Sequence, residues 1–480
     1  MKQLNREFLG NDPKRHEKIL QFGEGNFLRA FIDLFIQQLN EKGLFNGDIV
    51  IVQPIKSGLA SVLNKQEGCY TVVLRGLENG KPVVSEKIVS CVSRAINPFE
   101  NFTEYMETME NPHLRYIVSN TTEAGITYQE CPKPSDTEPP QSFPAKVTAL
   151  LYQRYNNFKG DPEKGFIFIP CELIDNNGTQ LKECITKHAK SWSLPGEFIN
   201  WINQCNHFTN TLVDRIVTGY PKDEASEFAT KLGYQDDLLV TGEIFHFMAI
   251  EAGEKATAEI NKDMPFKEAG LNVILTKDAT PYKIRKVRIL NGAHTMSVLA
   301  AFLSGKDTVG EMTADPVFAN FLKRGIYDEI IPTINMSKDD LLSFADAVFD
   351  RFANPYIKHY LTSIALNSVS KFKARVLPVI LDYENDCLPK VLTFSFAALI
   401  AFYKGTEREG YSPQDTEDVI EFFKTQWHTK NVVNAVLSNK NFWDTDLTEI
   451  PKLADTIYGH LRGILENGVK AEMEKLLNDA

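Results

Sequence analysis

The stretch that most limits what this chain can fold into lies near its start. Lys18-Ile19-Leu20-Gln21-Phe22 is a short apolar run that ends in Gly23-Glu24-Gly25. An amphipathic segment follows to about residue 42, with Phe27, Ala30, Phe31, Leu34, Phe35 and Leu39 at helical spacing. Strand, glycine turn and helix in that order open a parallel α/β sheet. Gly23 would permit the tight turn, and Gly25 would let a pyrophosphate come close to the backbone. The candidate cofactor contacts are therefore Leu20, Gln21, Phe22, Gly23, Glu24, Gly25, Asn26, Phe27, Leu28, Arg29, Ala30 and Phe31. Leu28 occupies the place of the third fingerprint glycine, so the motif is partial.

A second apolar run, Asp48-Ile49-Val50-Ile51-Val52-Gln53, ends in an amide where an NAD fingerprint often carries an acid. Gln53 can still bond a ribose, and Lys56 and Ser57 nearby leave a 2′-phosphate open. Residues 70–76 and 82–92 alternate about Asn79-Gly80, which predicts a hairpin inserted in the nucleotide domain. The run at 115–119 delivers Asn120 at the carboxyl end of a strand, where ligands of open α/β sheets gather. A stiff loop with five prolines spans 131–144, and a further buried strand at 165–169 leads to Pro170-Cys171-Glu172. The alternation makes residues 1–277 a Rossmann-like, doubly wound α/β domain.

Past residue 276 the strand signals fade. Helical periodicity runs through 287–303, 316–327, 339–352, 357–376, 388–403, 415–427 and 453–477, so residues 278–480 read as an all-α domain. The balance of 63 acidic against 52 basic residues, a net charge of −11, argues against nucleic acid as a partner. No run of 18 apolar residues suggests a membrane span, and the first residues lack the apolar core of a signal peptide, which places the chain in the cytoplasm. Seven scattered cysteines without C-x-x-C, and nine histidines without H-E-x-x-H, give no local metal spacing.

The chemistry is expected in Lys286-Val287-Arg288-Ile289-Leu290-Asn291-Gly292-Ala293-His294. With Pro281 opening a helix, Lys286, Asn291 and His294 fall within an arc of about 140°. Oxidising a secondary alcohol needs a base for its proton and donors for the developing alkoxide. A neutral lysine amine is such a base, favoured by burial and by neighbouring cations such as Lys283, Arg285 and Arg288. Asn291 offers an uncharged donor, and His294 can orient substrate or lysine. In a chain with 52 Lys and Arg, the same trio also describes a solvated helix face.

These residues resemble a known family. Gln21 to Ala30, Ser119-Asn120-Thr121-Thr122-Glu123-Ala124-Gly125, Val213-Asp214-Arg215-Ile216-Val217, Lys286 to His294, Arg351-Phe352-Ala353-Asn354-Pro355 and Ser370-Lys371 are similar to the mannitol dehydrogenase family of long-chain polyol dehydrogenases, over essentially the whole chain. The resemblance implies an NAD-dependent oxidoreductase with Lys286 as general base and Asn291 and His294 at the substrate. Two departures stand out. Glu172-Leu173 replaces the Asp/Glu-Asn of many members, and His359, Ser363 and Asn367 stand where polyol-specific members carry Asp, Arg and Asp. Loss of acids suits a sugar acid reduced from its keto form, with Arg215 and Lys283 foremost, and Arg285 and Arg288 behind them, as candidates to meet its carboxylate. The alternatives are reduction of a different keto sugar acid, a neutral polyol dehydrogenase, and a nucleotide sensor without catalysis.

Overall fold

The computed structural model describes residues 1–10, 15–135, 137–383, 387–405, 411–427, 429 and 431–478. It separates into two compact units. The first comprises Met1–Arg75 and Pro82–Ala279; the second comprises Gly76–Lys81 and Thr280–Ala480.

The first unit is built on six parallel strands: β1 (Glu17–Phe22), β2 (Asp48–Val52), β3 (Val92–Ile96), β4 (Tyr116–Ser119), β5 (Ile167–Pro170) and β6 (His207–Phe208). Their order across the sheet is β3-β2-β1-β4-β5-β6. That is the order of a dinucleotide-binding sheet, and it reverses between β1 and β4. Side chains alternate across the sheet as strand geometry requires. Ile19, Ile49, Ile51, Tyr116, Val118 and Ile167 pack into one core. Leu20, Phe22, Val50, Val52, Ile117 and Phe168 pack into the other. Burial on both faces explains why these strands read as unbroken apolar runs.

Several boundaries differ from the sequence reading. The amphipathic helix after the glycine turn is two helices, α1 (Asn26–Arg29) and α2 (Ile32–Glu41), with a break at Ala30 and Phe31. The hairpin strands are Tyr70–Glu78 and Lys81–Val89, while Val92–Ile96 is a separate strand of the main sheet. Asn79 and Gly80 both take positive φ, 53° and 73°, as a two-residue hairpin turn demands. The tip groups with the second unit, where the Asn79 and Gly80 amides donate to the Asp350 carboxylate at 2.8 and 3.1 Å.

Among the described residues, the regular structure of the second unit is helical apart from that tip and an isolated bridge between Thr308 and Tyr360. Its elements at the site are α3 (Thr280–Arg285), a π-helical turn over Lys286–Asn291, α4 (Gly292–Leu303), α5 (Lys338–Phe352) and α6 (Ser368–Arg375). The expected helix over 357–376 is interrupted because Asn367 adopts a left-handed conformation. The last expected helix breaks at Gly468, whose φ is 85°.

Beneath the glycine turn lies a buried polar cluster. The Tyr70 hydroxyl donates to Asp33 Oδ2 at 2.6 Å, and the Gln21 amide nitrogen donates to the Gly23 carbonyl at 3.1 Å. Gln21 Oε1 and Asp33 Oδ1 are left as buried acceptors without a donor. One proton on Asp33 satisfies both, and burial pushes that carboxyl up to about 7. Between roughly pH 4 and 7 the folded chain holds this proton while the unfolded chain does not, so its stabilising effect is present at low pH and lost as pH rises through 7. Asp33→Asn places a permanent donor there. Wild type should therefore lose stability relative to this variant by about 1.4 kcal/mol per pH unit between pH 5 and 7. Thermal unfolding of both proteins across that range tests this, and a pH-independent difference in Tm would refute it.

Candidate active site

The nucleotide-binding candidates occupy the reversal point of the sheet. Gly23 closes β1 with φ 115°, and a Cβ there would sit 2.8 Å from the Asn120 carbonyl oxygen, so the strand ends approach too closely for any side chain. Gly25 is different. Its backbone is extended, it caps α1, and a Cβ built on it meets nothing within 4 Å. The space in front of Gly25 is thus open, and the residue's smallness is not required by the protein's own packing.

Most of the remaining candidates in the 20–31 stretch are structural in this unit. Leu20, Phe22, Leu28, Ala30 and Phe31 lie in the cores, with Phe27 packed against them, and Gln21 belongs to the polar cluster. Arg29 is 2% exposed; its guanidinium donates to Glu24 O at 3.1 Å, to Asn26 Oδ1 at 2.7 Å and to Leu238 O. The Glu24 carboxylate accepts from the Leu59 amide at 3.3 Å, and Asn26 is the exposed polar side chain of the group. Gln53 is buried, with its amide nitrogen on the carbonyls of Ile55 and Lys56 and its oxygen on the Ala60 amide. It shapes the loop that follows β2.

Asn120, a substrate candidate, follows β4 and donates to the Cys171 carbonyl at 2.7 Å, tying the ends of β4 and β5 together. Glu172 is buried and accepts from Ser119, from the Thr121 hydroxyl and from the Thr121 amide. Arg215, the other substrate candidate in this unit, is held by backbone. Its guanidinium is buried in the first unit against the carbonyls of Phe245, Ala30 and Ile244, at 3.0, 2.6 and 3.1 Å. These three bonds brace the loops about residues 30 and 245.

In the second unit the helix opens at Thr280 with Pro281 in its first turn, as proline favours. It then passes through the π turn over Lys286–Asn291 before resuming at Gly292. A π turn is equivalent to one residue inserted into an α-helix. Counting one residue fewer, the arc that holds Lys286, Asn291 and His294 narrows from about 140° to about 60°. Lys286 and Asn291 are half-buried and His294 is buried. The other basic residues around them diverge. Lys283 is exposed one turn earlier. Arg285 is buried with its guanidinium 4.4 Å from the Phe344 ring centroid. Arg288 is tied to Thr333 and to the Asp382 carboxylate, so its charge is compensated.

His294 is held by stacking. Its ring lies 4.2 Å from Phe352, at the end of α5, and 5.2 Å edge-on from His359. Burial, and then the positive field of His359, Arg351, Arg375 and Lys371, holds its imidazole well below the ordinary histidine range. It is therefore neutral at physiological pH, one nitrogen donating and the other accepting, and its Nε2 is buried without a partner among the described residues. Of the three positions that depart from the polyol pattern, His359 reaches this cluster, while Ser363 and Asn367 are exposed. Arg375, which the sequence reading passed over, also reaches it. The signal was present, because Arg375 stands four residues after Lys371 on α6 and so shares its face.

Comparison with known proteins agrees with this arrangement. Residues 17–262 match the mannitol dehydrogenase Rossmann domain, and residues 278–465 match the mannitol dehydrogenase C-terminal domain. The altronate oxidoreductase of Shigella flexneri is 45% identical over 99% of this chain and 100% of its own length. That of Yersinia pestis bv. Antiqua (strain Nepal516) is 45% identical over 98% of this chain and 99% of its own. Among solved structures, a D-sorbitol dehydrogenase in substrate-free form superposes with a TM-score of 0.81 at 21% identity, covering 98% of this chain and 100% of that one. Pseudomonas fluorescens mannitol 2-dehydrogenase, in ternary complex with NAD and D-mannitol, gives 0.69 at 20% identity with both chains fully covered. Both domains match in sequence, the relatives extend end to end, and the fold is shared throughout: the chain belongs to the mannitol dehydrogenase family.

Proposed function

We propose that this chain is an NAD-dependent oxidoreductase that interconverts D-tagaturonate and D-altronate, with Lys286 as general acid and base. The observation that carries the substrate is the 45% identity to altronate oxidoreductases over 98–99% of the chain. The cofactor reading is supported by the strand order of the first unit and by the open space before Gly25, which suits the close approach of a pyrophosphate. The cofactor, when bound, supplies hydride to the keto carbon as NADH and accepts it from the alcohol carbon as NAD+. The protein's part is to manage the oxygen. In reduction, the Lys286 ammonium gives its proton to the carbonyl oxygen as the alcohol forms, and in oxidation the neutral amine takes the hydroxyl proton. Asn291 donates an N–H to the oxygen while it carries negative charge. His294, uncharged, bonds a substrate hydroxyl through its unpartnered Nε2.

The cofactor reading predicts that Gly25→Val leaves the fold intact, because nothing in the protein stands where the new side chain begins. It should weaken NADH binding by at least about tenfold, corresponding to a loss of roughly 1.4 kcal/mol. Fluorescence titration measures this, and unchanged affinity would remove the turn from the cofactor site.

The catalytic reading makes a separate prediction. Lys286→Ala should lower kcat for tagaturonate reduction by about 10²–10⁴-fold while sparing NADH binding. Asn291→Ala should cost on the order of 10²–10³-fold. Near wild-type turnover in folded Lys286→Ala would take the lysine out of the chemistry. A wild-type protein that reduces fructuronate or fructose in preference to tagaturonate would reassign the substrate.

A further inference from the structure

We propose that Arg375, at the end of α6, is the residue that binds the carboxylate of the substrate and so sets this enzyme's preference for a sugar acid over a neutral polyol. The proposal deepens the reading of a keto sugar acid as substrate and rests on it.

Arg375 is half-buried, and among the described residues it makes one hydrogen bond, a long one of 3.3 Å to the Thr295 hydroxyl. A guanidinium carries about five N–H donors, so most of its fork remains to be satisfied. No Asp or Glu pairs with it among the described residues. Several other arginines are treated differently. Arg288 has Asp382, Arg115 has Glu259, Arg94 has Glu17 and Glu104, and Arg215 and Arg154 are saturated by backbone carbonyls.

Its position ties this guanidinium to the site. Thr295 directly follows His294 on α4, and the Arg375 carbonyl lies 3.5 Å from where a Cβ on Gly292 would stand, so the end of α6 rests on the start of α4. Lys371 is one turn earlier on the same face, its ammonium on the Ile364 carbonyl at 2.9 Å and in the field of Asp415. Its charge is therefore partly met, and that of Arg375 is not. The charged groups acting on His294 are Arg351, Arg375 and Lys371, with the His359 ring beside them and no carboxylate. A half-buried guanidinium with no carboxylate partner among the described residues, next to an imidazole whose Nε2 is buried and unpartnered among them, calls for an anion that also carries hydroxyl groups. A planar carboxylate matches the guanidinium fork in two parallel hydrogen bonds.

The test is steady-state kinetics of wild type, Arg375→Gln and Arg375→Lys with D-tagaturonate and with the matched neutral ketose D-tagatose, at saturating NADH. Arg375→Gln should raise KM for tagaturonate about 10–100-fold, more than it lowers kcat, and should lower the ratio of kcat/KM on acid to that on neutral ketose by a similar factor. Arg375→Lys, which keeps the charge and loses the fork, should fall between the two. An unchanged ratio in Arg375→Gln overturns the proposal. If that variant does not fold, Arg375→Lys decides, because a wild-type ratio in it overturns the bidentate reading just as directly. A wild-type enzyme inert toward every keto sugar acid would instead overturn the substrate reading, and this proposal with it; wild-type activity on tagaturonate separates the two failures.

Discussion

The buried guanidinium of Arg29 is the interaction on which the nucleotide-binding unit depends. It sits at the end of a four-residue helix, directly after the glycine turn, and joins the Glu24 carbonyl to that of Leu238, more than two hundred residues later. Tyr70, from the first hairpin strand, lies under it at 5.3 Å. Taking a guanidinium out of water is expensive unless its donors are met and its charge is balanced. Here the nearby carboxyls of Asp33, Asp236 and Glu24 offset the charge in part, while desolvation draws its pKa down. The turn is thus fixed from below by side chains that never need to touch a ligand. That leaves Gly25 free to face open space, while Leu28, at the third fingerprint position, packs into the core.

The helical unit solves its positioning problem by another means. Two of its helices carry π turns, over Lys286–Asn291 and Gly325–Ile330, and each re-aims a polar group. In the first, Lys286 is brought round toward the face of Asn291 and His294. In the second, Glu329 is turned to accept the Val391 and Leu392 amides at 2.8 and 3.0 Å, capping the otherwise buried helix over Lys390–Phe402. The two are packed together: a Cβ on Gly325 would lie 2.7 Å from the Met296 sulfur on α4. Ser395 of the capped helix donates to the Met296 carbonyl at 2.7 Å. The inserted residues are locked by neighbours on both sides, which is what keeps a π turn from relaxing to a regular helix.

Much of this was legible from residue pattern alone, for definite reasons. Strands buried on both faces appear as apolar runs, so β1, β2, β4 and β5 could be placed to within a residue or two. The strand Val92–Ile96 was hidden because it continues the alternation of the hairpin without a turn residue to mark the change of sheet. The short strands His207–Phe208, Val217–Gly219 and Val240–Gly242 are too brief to show a period. The π turn escaped for a different reason. Its residue types are those of any helix, and only the hydrogen-bond register distinguishes it, so the spacing of Lys286, Asn291 and His294 identified the right groups while overstating their angular spread. Arg215 shows the converse limit. Its type and place in a motif suggested a ligand, but which partners a guanidinium finds is a property of packing.

Charge compensation separates the groups that build this protein from those that are available to a substrate. The chain carries more acids than bases, 63 against 52, yet Arg375 has no carboxylate partner among the described residues. Around His294 several cations gather, and the imidazole responds by remaining neutral. That outcome divides the work at the site. A fixed guanidinium can meet a charge, and a neutral imidazole can only exchange hydrogen bonds, so under the proposed function the two groups would take different parts of an anionic sugar. His359, at the position where the resemblance implies an Asp in polyol-specific members, fits the same reading. A carboxylate at that position would neutralise the field, raise the tendency of His294 to protonate, and repel the substrate's own acid, whereas a second imidazole leaves the positive field standing.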